Sequence, residues 1–361
     1  MKRKVLYLGW IGFKNFGDEF MWTLFRELAD RYLPSDRYEI IPSVPGVDVK
    51  DLSGYDTVVL GGGSLLIGGY ADLAHQAAKE GKRLIVWGSG YDCIHLSKAE
   101  RRGVVRPESV RESDGYRSKL ADIAGHASFF GVRGPWTLAY LREQGVPLDR
   151  IRVSGDPGLL VAAPEKASSV DSAGGEGSLE ATQDRWIGIN WGTVYNRIYG
   201  ADEAALEDSL ASVCRTLIAR GFKLYLYVVW GPDREASRRL FGKISSEKVV
   251  YDPDVHEYPE YIRMMERLEL TVNLKLHACV LSAAVGVPFV SLGYRFKCFD
   301  FASSLGAEEM IVPTDEADAE TAILRAIDAG LSRKRELAAS FAEAKGRAET
   351  LLREPFERGL F

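Results

Sequence analysis

The 361-residue chain lacks an excess of positive charge: 46 Lys and Arg against 51 Asp and Glu leave a formal net charge of −5. A protein that neutralises phosphates along a nucleic acid needs the opposite balance, which argues against a general nucleic-acid binder and leaves only a local basic pocket open. Cysteine is scarce. Cys93, Cys214, Cys279 and Cys298 lie far apart with no C-x-x-C pair, which argues against a disulfide scaffold or a Cys-rich zinc site and reads as reduced thiols of a cytoplasmic protein. The five histidines (His75, His95, His126, His256 and His277) form no H-x-x-x-H pair, so no His-based metal site is expected. After the basic Met1-Lys-Arg-Lys the apolar stretch covers only Val5 to Leu8, too short for the apolar region of a signal peptide.

One stretch imitates a membrane span. Leu276 to Tyr294 is free of Asp, Glu, Lys and Arg over nineteen residues, near the length that crosses a bilayer. It contains His277, Ser282 and Ser291, and Gly286-Val287-Pro288 divides it into a helix-like and a strand-like half. The expected structure is a buried helix–turn–strand in a soluble protein.

What is present is an ordinary globular composition, 46% hydrophobic and 27% charged. At roughly 150 residues per domain the length favours two domains. Short apolar strands alternate with helices: strands over Val5–Trp10, Tyr55–Leu60, Arg83–Trp87, Ser128–Val132 and Arg150–Ser154, with helices over Asp18–Tyr32, Ala71–Glu80 and Pro135–Gln144. From Glu165 to Arg185 the chain turns to Ser, Gly, Ala and Glu, a linker or surface loop. The alternation restarts at Trp186 and runs to a helix over Glu320–Ala329, with Phe299–Leu305 as a short helix of this second half and Arg333–Arg353 as a long amphipathic one.

The expected fold is therefore α/β: two Rossmann-like, doubly wound parallel-sheet domains in a GT-B-like arrangement, residues 1–164 and 186–330, with a linker at 165–185 and a C-terminal helix at 331–361 packing back on the first domain. Open α/β sheets bind ligands beyond the carboxyl ends of their strands, which places the expected site in the cleft between the halves.

Three tempting signatures fail. Gly12 and Gly17 have P-loop spacing, but Asp18-Glu19 follows where Lys-Ser/Thr belongs, and two carboxylates there repel phosphates. Gly88-Ser89-Gly90 meets Cys93 at the third glycine of a dinucleotide fingerprint, and Gly61 and Gly63 meet Leu66. Neither NAD, FAD nor P-loop ATP chemistry is expected.

Five segments remain, each where a strand ends: Gly9-Trp-Ile-Gly-Phe-Lys-Asn-Phe-Gly-Asp-Glu19, Gly61-Gly62-Gly63-Ser64, Gly131-Val132-Arg133-Gly134-Pro135, Ser154-Gly155-Asp156-Pro157, and Lys275-Leu276-His277 with Tyr294-Arg295-Phe296-Lys297 beyond it. In this order they resemble the polysaccharide pyruvyl transferase family, with its N-x-G-D-E, GGG, V-R-D, D-P and R-L-H followed by Y-x-x-K. The resemblance spans about Gly9 to Leu305. Gly134 stands where an Asp is usual and Lys275 where an Arg is usual. Lys lacks the bidentate fork that Arg offers a carboxylate or phosphate.

The resemblance implies transfer of an enolpyruvyl unit from phosphoenolpyruvate (PEP) to a sugar, closing a pyruvate ketal across two hydroxyls. PEP is then a co-substrate, with no further cofactor or metal. The acceptor is a sugar or lipid-linked glycan of a cell-surface polysaccharide, with at most peripheral membrane contact from the cytoplasmic side. His277, protonated, is the expected donor of a proton to the PEP methylene carbon. Arg133 and Lys297, with Lys275, hold the donor and stabilise the departing phosphate.

Some of these residues suit the chemistry on their own. Arg133 precedes a Pro-started helix whose N-terminus favours anions, although an Arg there also suits a pairing with a carboxylate. Gly62, Gly63 and Ser64 allow close backbone approach to a ligand, or form a plain tight turn. Asn15, Asp18 and Glu19 either complement a helix dipole or bind acceptor hydroxyls, with one carboxylate as general base. Asp156 before Pro157 is equally a turn-former. Trp191, Tyr195, Arg197 and Tyr199 offer stacking surface for a sugar, or ordinary packing. A glycosyltransferase using a nucleotide sugar and a non-catalytic glycan-binding relative are the alternatives.

Overall fold

The structure, a computed structural model, describes residues 2–44, 49–94, 112–161 and 184–361. The linker expected at 165–185 lies outside the described residues up to 183. The chain divides into two compact units. The first contains Met1–Leu160, Arg295–Gly306 and Glu343–Phe361, and the second Val161–Tyr294 and Ala307–Ala342.

The first unit is built on β1 (Arg3–Leu8), α1 (Phe16–Tyr32), β2 (Tyr38–Pro42), β3 (Thr57–Leu60), α2 (Tyr70–Lys79), β4 (Arg83–Ser89), α3 (Asp114–His126), β5 (Phe129–Val132), α4 (Pro135–Glu143) and β6 (Ile151–Val153). Its six strands are parallel in the order β2-β1-β3-β4-β5-β6. Continuous apolar runs form the inner strands because helices cover both faces of such a sheet; all four residues of β3 are buried. The strand order reverses between β1 and β3, the topological switch point beside which open sheets bind ligands. The register Leu8↔Leu60 brings Gly9 and Gly61 side by side there.

The second unit comprises β7 (Trp186–Asn190), α5 (Glu203–Ala219), β8 (Lys223–Tyr227), α6 (Arg234–Ile244), β9 (Val249–Asp252), α7 (Tyr258–Met265), β10 (Leu270–Asn273), α8 (Leu276–Ala284) and β11 (Phe289–Gly293). The chain then enters the first unit for α9 (Phe296–Ser304) and returns for β12 (Ile311–Pro313) and α10 (Ala319–Ser332). The order β9-β8-β7-β10-β11-β12, all parallel, is the 3-2-1-4-5-6 arrangement of a doubly wound sheet, with its switch point between β7 and β10. α11 (Lys334–Glu357) closes the chain. Its later residues join the first unit, where Trp87 Nε1 donates to the Leu352 carbonyl at 2.8 Å and Phe25, Trp87 and Phe356 pack ring against ring.

Both sheets and the helix–turn–strand over 276–294 agree with the sequence reading. No helix among the described residues is long and apolar enough to cross a membrane. Four details differ. β2 and α3 carry too little apolar pattern to be seen in sequence; no residue of β2 is fully buried. β1 stops at Leu8, which puts Trp10 in the following loop. α9 begins at Phe296 rather than Phe299, and it belongs to the first unit because its Asp300 is buried there against Arg133 and Thr137.

Candidate functional site

Glycines at 61, 62 and 63 are first of all required by packing. A Cβ on Gly61 would enter the Tyr7 ring, and one on Gly62 would meet Met21 Sδ and lie 2.8 Å from Pro157 Cγ. Gly63 has a φ of +103°, which only glycine adopts without strain. The Gly63 carbonyl accepts from Gly90 N at 2.7 Å, tying the turn to the end of β4.

Of the three polar residues that open α1, two build the loop. Asn15 Oδ1 accepts from Gly17 N at 3.1 Å as the helix cap, and Glu19 Oε1 accepts from Gly12 N at 2.8 Å. These oxygens satisfy backbone N–H groups at the start of the helix, the structural alternative that the sequence offered. Asp18 differs. Its carboxylate makes no hydrogen bond or ion pair among the described residues, and Oδ1 stands 3.3 Å from where a Cβ on Gly63 would be. Burial pushes its carboxyl up to about 7; Lys297 and Arg133 oppose that rise, and Glu19 and Asp156 add to it.

Arg133, just past β5, is 1% exposed. Nε lies 3.3 Å from Asp300 Oδ2, Nη1 donates to Ser64 Oγ at 3.3 Å, and Nη2 donates to the Tyr91 carbonyl at 3.0 Å. Asp300 also accepts from Thr137 N at 3.0 Å and Thr137 Oγ1 at 2.7 Å, so it serves α4 as a cap. A guanidinium with three protein partners and no exposure supplies positive potential from behind the Gly61–Ser64 turn. Ser64 is likewise engaged, accepting from Arg133.

Asp156 is fully buried. Oδ1 accepts from Gly158 N at 2.9 Å, while Oδ2 has no hydrogen-bond partner among the described residues. Burial raises its pKa, and Arg133 opposes the rise. It forms the turn that its place before Pro157 predicts.

Lys297 lies in the first turn of α9 with its side chain 22% exposed. Its backbone N donates to Asp92 Oδ1 at 3.3 Å, and Nζ is 3.9 Å from Asp92 Oδ2, which also pairs with Arg295 Nε at 2.9 Å. Of the charges acting on Asp18, Lys297 does most to lower its pKa. The first unit thus brings together Asp18, Lys297 and the Gly61–Ser64 turn, with Arg133 behind them.

Lys275 and His277 belong to the second unit. Lys275 caps α8; its N donates to Asn190 Oδ1 at 3.1 Å and its Nζ to the Thr193 carbonyl at 2.7 Å. Nζ also lies 3.1 Å from Asp233 Oδ1 and 4.8 Å from the centre of the Trp230 ring. At 12% exposure it is the counterion of a fully buried Asp233, whose carboxyl burial pushes up to about 6. His277 is half-buried in the first turn of α8. Of the four residues after β7, Trp191 and Tyr199 are buried, whereas Tyr195 and Arg197 are exposed.

Sequence reasoning missed Asp92 and Asp300. Asp92 had a signal, since it follows Gly88-Ser89-Gly90 just past the end of β4. Asp300 had none; it reaches Arg133 across 167 residues of sequence. No cluster of three or more His, Cys, Asp or Glu able to hold a metal occurs among the described residues.

Among solved structures the chain is similar to the S. aureus MnaA–UDP co-structure, at 10% identity and a TM-score of 0.58, covering 100% of this chain and 98% of that one. It is similar to Methanocaldococcus jannaschii UDP-GlcNAc 2-epimerase in complex with UDP-GlcNAc and UDP, at 12% identity, TM-score 0.56 and coverage of 98% and 99%. It also resembles Anabaena Alr3699/HepE in complex with UDP and glucose, at 10% identity, TM-score 0.53 and coverage of 100% and 99%. Identities this low show the fold alone, a GT-B-like pair of Rossmann-like domains. A comparison with curated proteins finds no match. The family model of polysaccharide pyruvyl transferase matches residues 15–295, from the cap of α1 to the residue before α9, and the chain therefore belongs to the polysaccharide pyruvyl transferase family.

Proposed function

We propose that the protein moves an enolpyruvyl unit from PEP to a sugar of a cell-surface polysaccharide or its precursor and closes it into a pyruvate ketal. The observation that carries this reading is Asp18: a half-buried carboxyl with no partner among the described residues, held near neutrality beside Lys297 at the switch point of the first sheet. A base with a pKa near the working pH is suited to take a proton from an attacking hydroxyl. The PEP anion is met by the Lys297 ammonium and by the Arg133 potential.

In the reaction, a proton adds to the methylene carbon of PEP, turning C=CH₂ into C–CH₃ and leaving C2 electrophilic. A sugar hydroxyl forms the first C2–O bond and gives its proton to Asp18. A second hydroxyl forms the other C2–O bond as the C2–O(phosphate) bond breaks; phosphate leaves with the bonding pair and takes up that hydroxyl's proton. His277 is the group we propose as the general acid toward the methylene carbon.

Calorimetry with PEP, and phosphate release followed on addition of sugar acceptors, test the reading. PEP binding that weakens in Lys297→Ala with the fold intact supports it. A folded protein that does not bind PEP would falsify it.

A further inference from the structure

We propose that the loop after β7 carries a saccharide subsite, with the Tyr195 ring as the face on which a pyranose stacks. Its being part of the acceptor's path rests on the pyruvyl-transfer reading; the stacking site itself does not.

Three observations lead there. First, Tyr195 is 66% exposed, the most exposed large apolar side chain among the described residues, and its ring meets Trp230 edge-on at 6.5 Å. Second, Tyr195 and Asn196 both take left-handed backbone conformations, with φ of 57° and 59°. Such a conformation is costly for an aromatic residue and persists only where the surroundings over-determine it. Glu203 does so here: Oε1 accepts from Val194 N at 2.8 Å and from Asn196 N at 2.9 Å, and Oε2 from Thr193 Oγ1 at 2.9 Å. Asn196 Oδ1 in turn accepts from Glu203 N at 2.9 Å. The fold thus holds an aromatic ring out in solvent on left-handed backbone that Glu203 pins in place. Third, the loop lies at the switch point of the second sheet, stitched to the β10 edge by Lys275 Nζ on the Thr193 carbonyl.

The chemistry favours a sugar over a nucleobase. Reading a base requires several donors and acceptors fixed at its edge, and beside the Tyr195 ring the backbone donors and the Asn196 amide are engaged: Val194 N and Asn196 N on Glu203, Tyr195 N on Thr193 Oγ1, and Asn196 Nδ2 on the Ala201 carbonyl. Stacking on the C–H face of a pyranose needs only a rigid ring. The Arg197 guanidinium, exposed two residues on, is suited to the sugar's hydroxyls. Because the loop is ordered beforehand, binding does not carry the entropy cost of fixing it.

The test titrates the full chain, without PEP, with gluco-, manno- and galacto-tetraoses in α and β linkage, with UDP as the nucleotide control. Binding is read by calorimetry and stability by thermal unfolding. At least one tetraose is expected to bind, with Tyr195→Gly about tenfold weaker, the scale of a lost aromatic contact, and Tyr195→Trp near the parent. Tyr195→Gly also relieves the left-handed strain, so its unfolding temperature should hold or rise while binding falls. A merely structural tyrosine would lose stability and leave binding alone. The proposal is overturned if no tetraose binds at millimolar concentration, if Tyr195→Gly binds as the parent does, or if UDP rather than a tetraose is the ligand that Tyr195 controls. Failure of the pyruvyl-transfer reading is separate: PEP-dependent phosphate release would be absent with tetraose binding unchanged.

Discussion

The carboxylate of Asp300 occupies the space that a side chain on Gly134 would need, with a Cβ there running into both Asp300 Oδ1 and its carbonyl. Position 134, where the family pattern carries an Asp, is a glycine in this chain, and a carboxylate from α9 stands in that place, pairing with Arg133 and capping α4.

Gly134→Ala should therefore destabilise the protein by about 1–3 kcal/mol, the usual cost of overpacking. Gly134→Asp combined with Asp300→Gly removes the side-chain clash but not the one with the Asp300 carbonyl, so it should be more stable than Gly134→Asp alone. Urea unfolding of the two proteins decides it; a double variant no better than Gly134→Asp would end the idea that the two positions compete.

Asp18 makes stability and activity depend on pH in opposite senses. Its folded pKa of about 7 lies above the ordinary carboxyl value of 3.8, so the folded state holds the proton longer. Its contribution to stability is fullest at acid pH and is lost as pH rises from about 4 to about 7. Asp18→Asn should abolish that loss, giving a larger urea midpoint relative to the parent at about pH 8 than at about pH 5. Conversely, kcat/KM should rise through pH near 7 as the base ionises, and fall by about 10²–10⁴-fold in the Asn variant with that limb flattened.

In the second unit, Lys275→Met leaves Asp233 buried without its cation, which should cost about 3–5 kcal/mol. Lys275 lowers the pKa of Asp233 from what burial alone would set, so the loss should deepen as pH climbs past 6. Adding Asp233→Asn should recover part of it in urea unfolding. Equal stability of the Met variant and the parent would remove the ion pair as the reason for a lysine here.

Lys297→Ala and His277→Gln should separate binding from chemistry. The first should raise the KM for PEP, and the second should lower kcat by about 10²–10⁴-fold with PEP affinity near the parent's. Phosphate-release kinetics beside calorimetry distinguish the two, and a His277→Gln enzyme of full kcat would strike His277 from the mechanism.

Periodicity alone announced both parallel sheets, because strands covered by helices on either face must be apolar throughout, as β3 and β7 are. It also located the loops of interest, since the glycine-rich segments fall where strands end. Side-chain roles were less legible. Asn15, Glu19, Asp156, Arg133 and Lys275 have the residue types of ligands, and each turned out to be engaged in building the fold.

The alternation of most strands and helices and the positions of the turns were thus written in local pattern, which depends on neighbours within a few residues. Which polar groups are left for chemistry was decided by contacts between distant segments: Asp300 reaching Arg133, Asp233 meeting Lys275, Glu203 holding Tyr195 outward. How far a carboxylate or a cation is engaged by backbone or counterions is settled by packing in three dimensions.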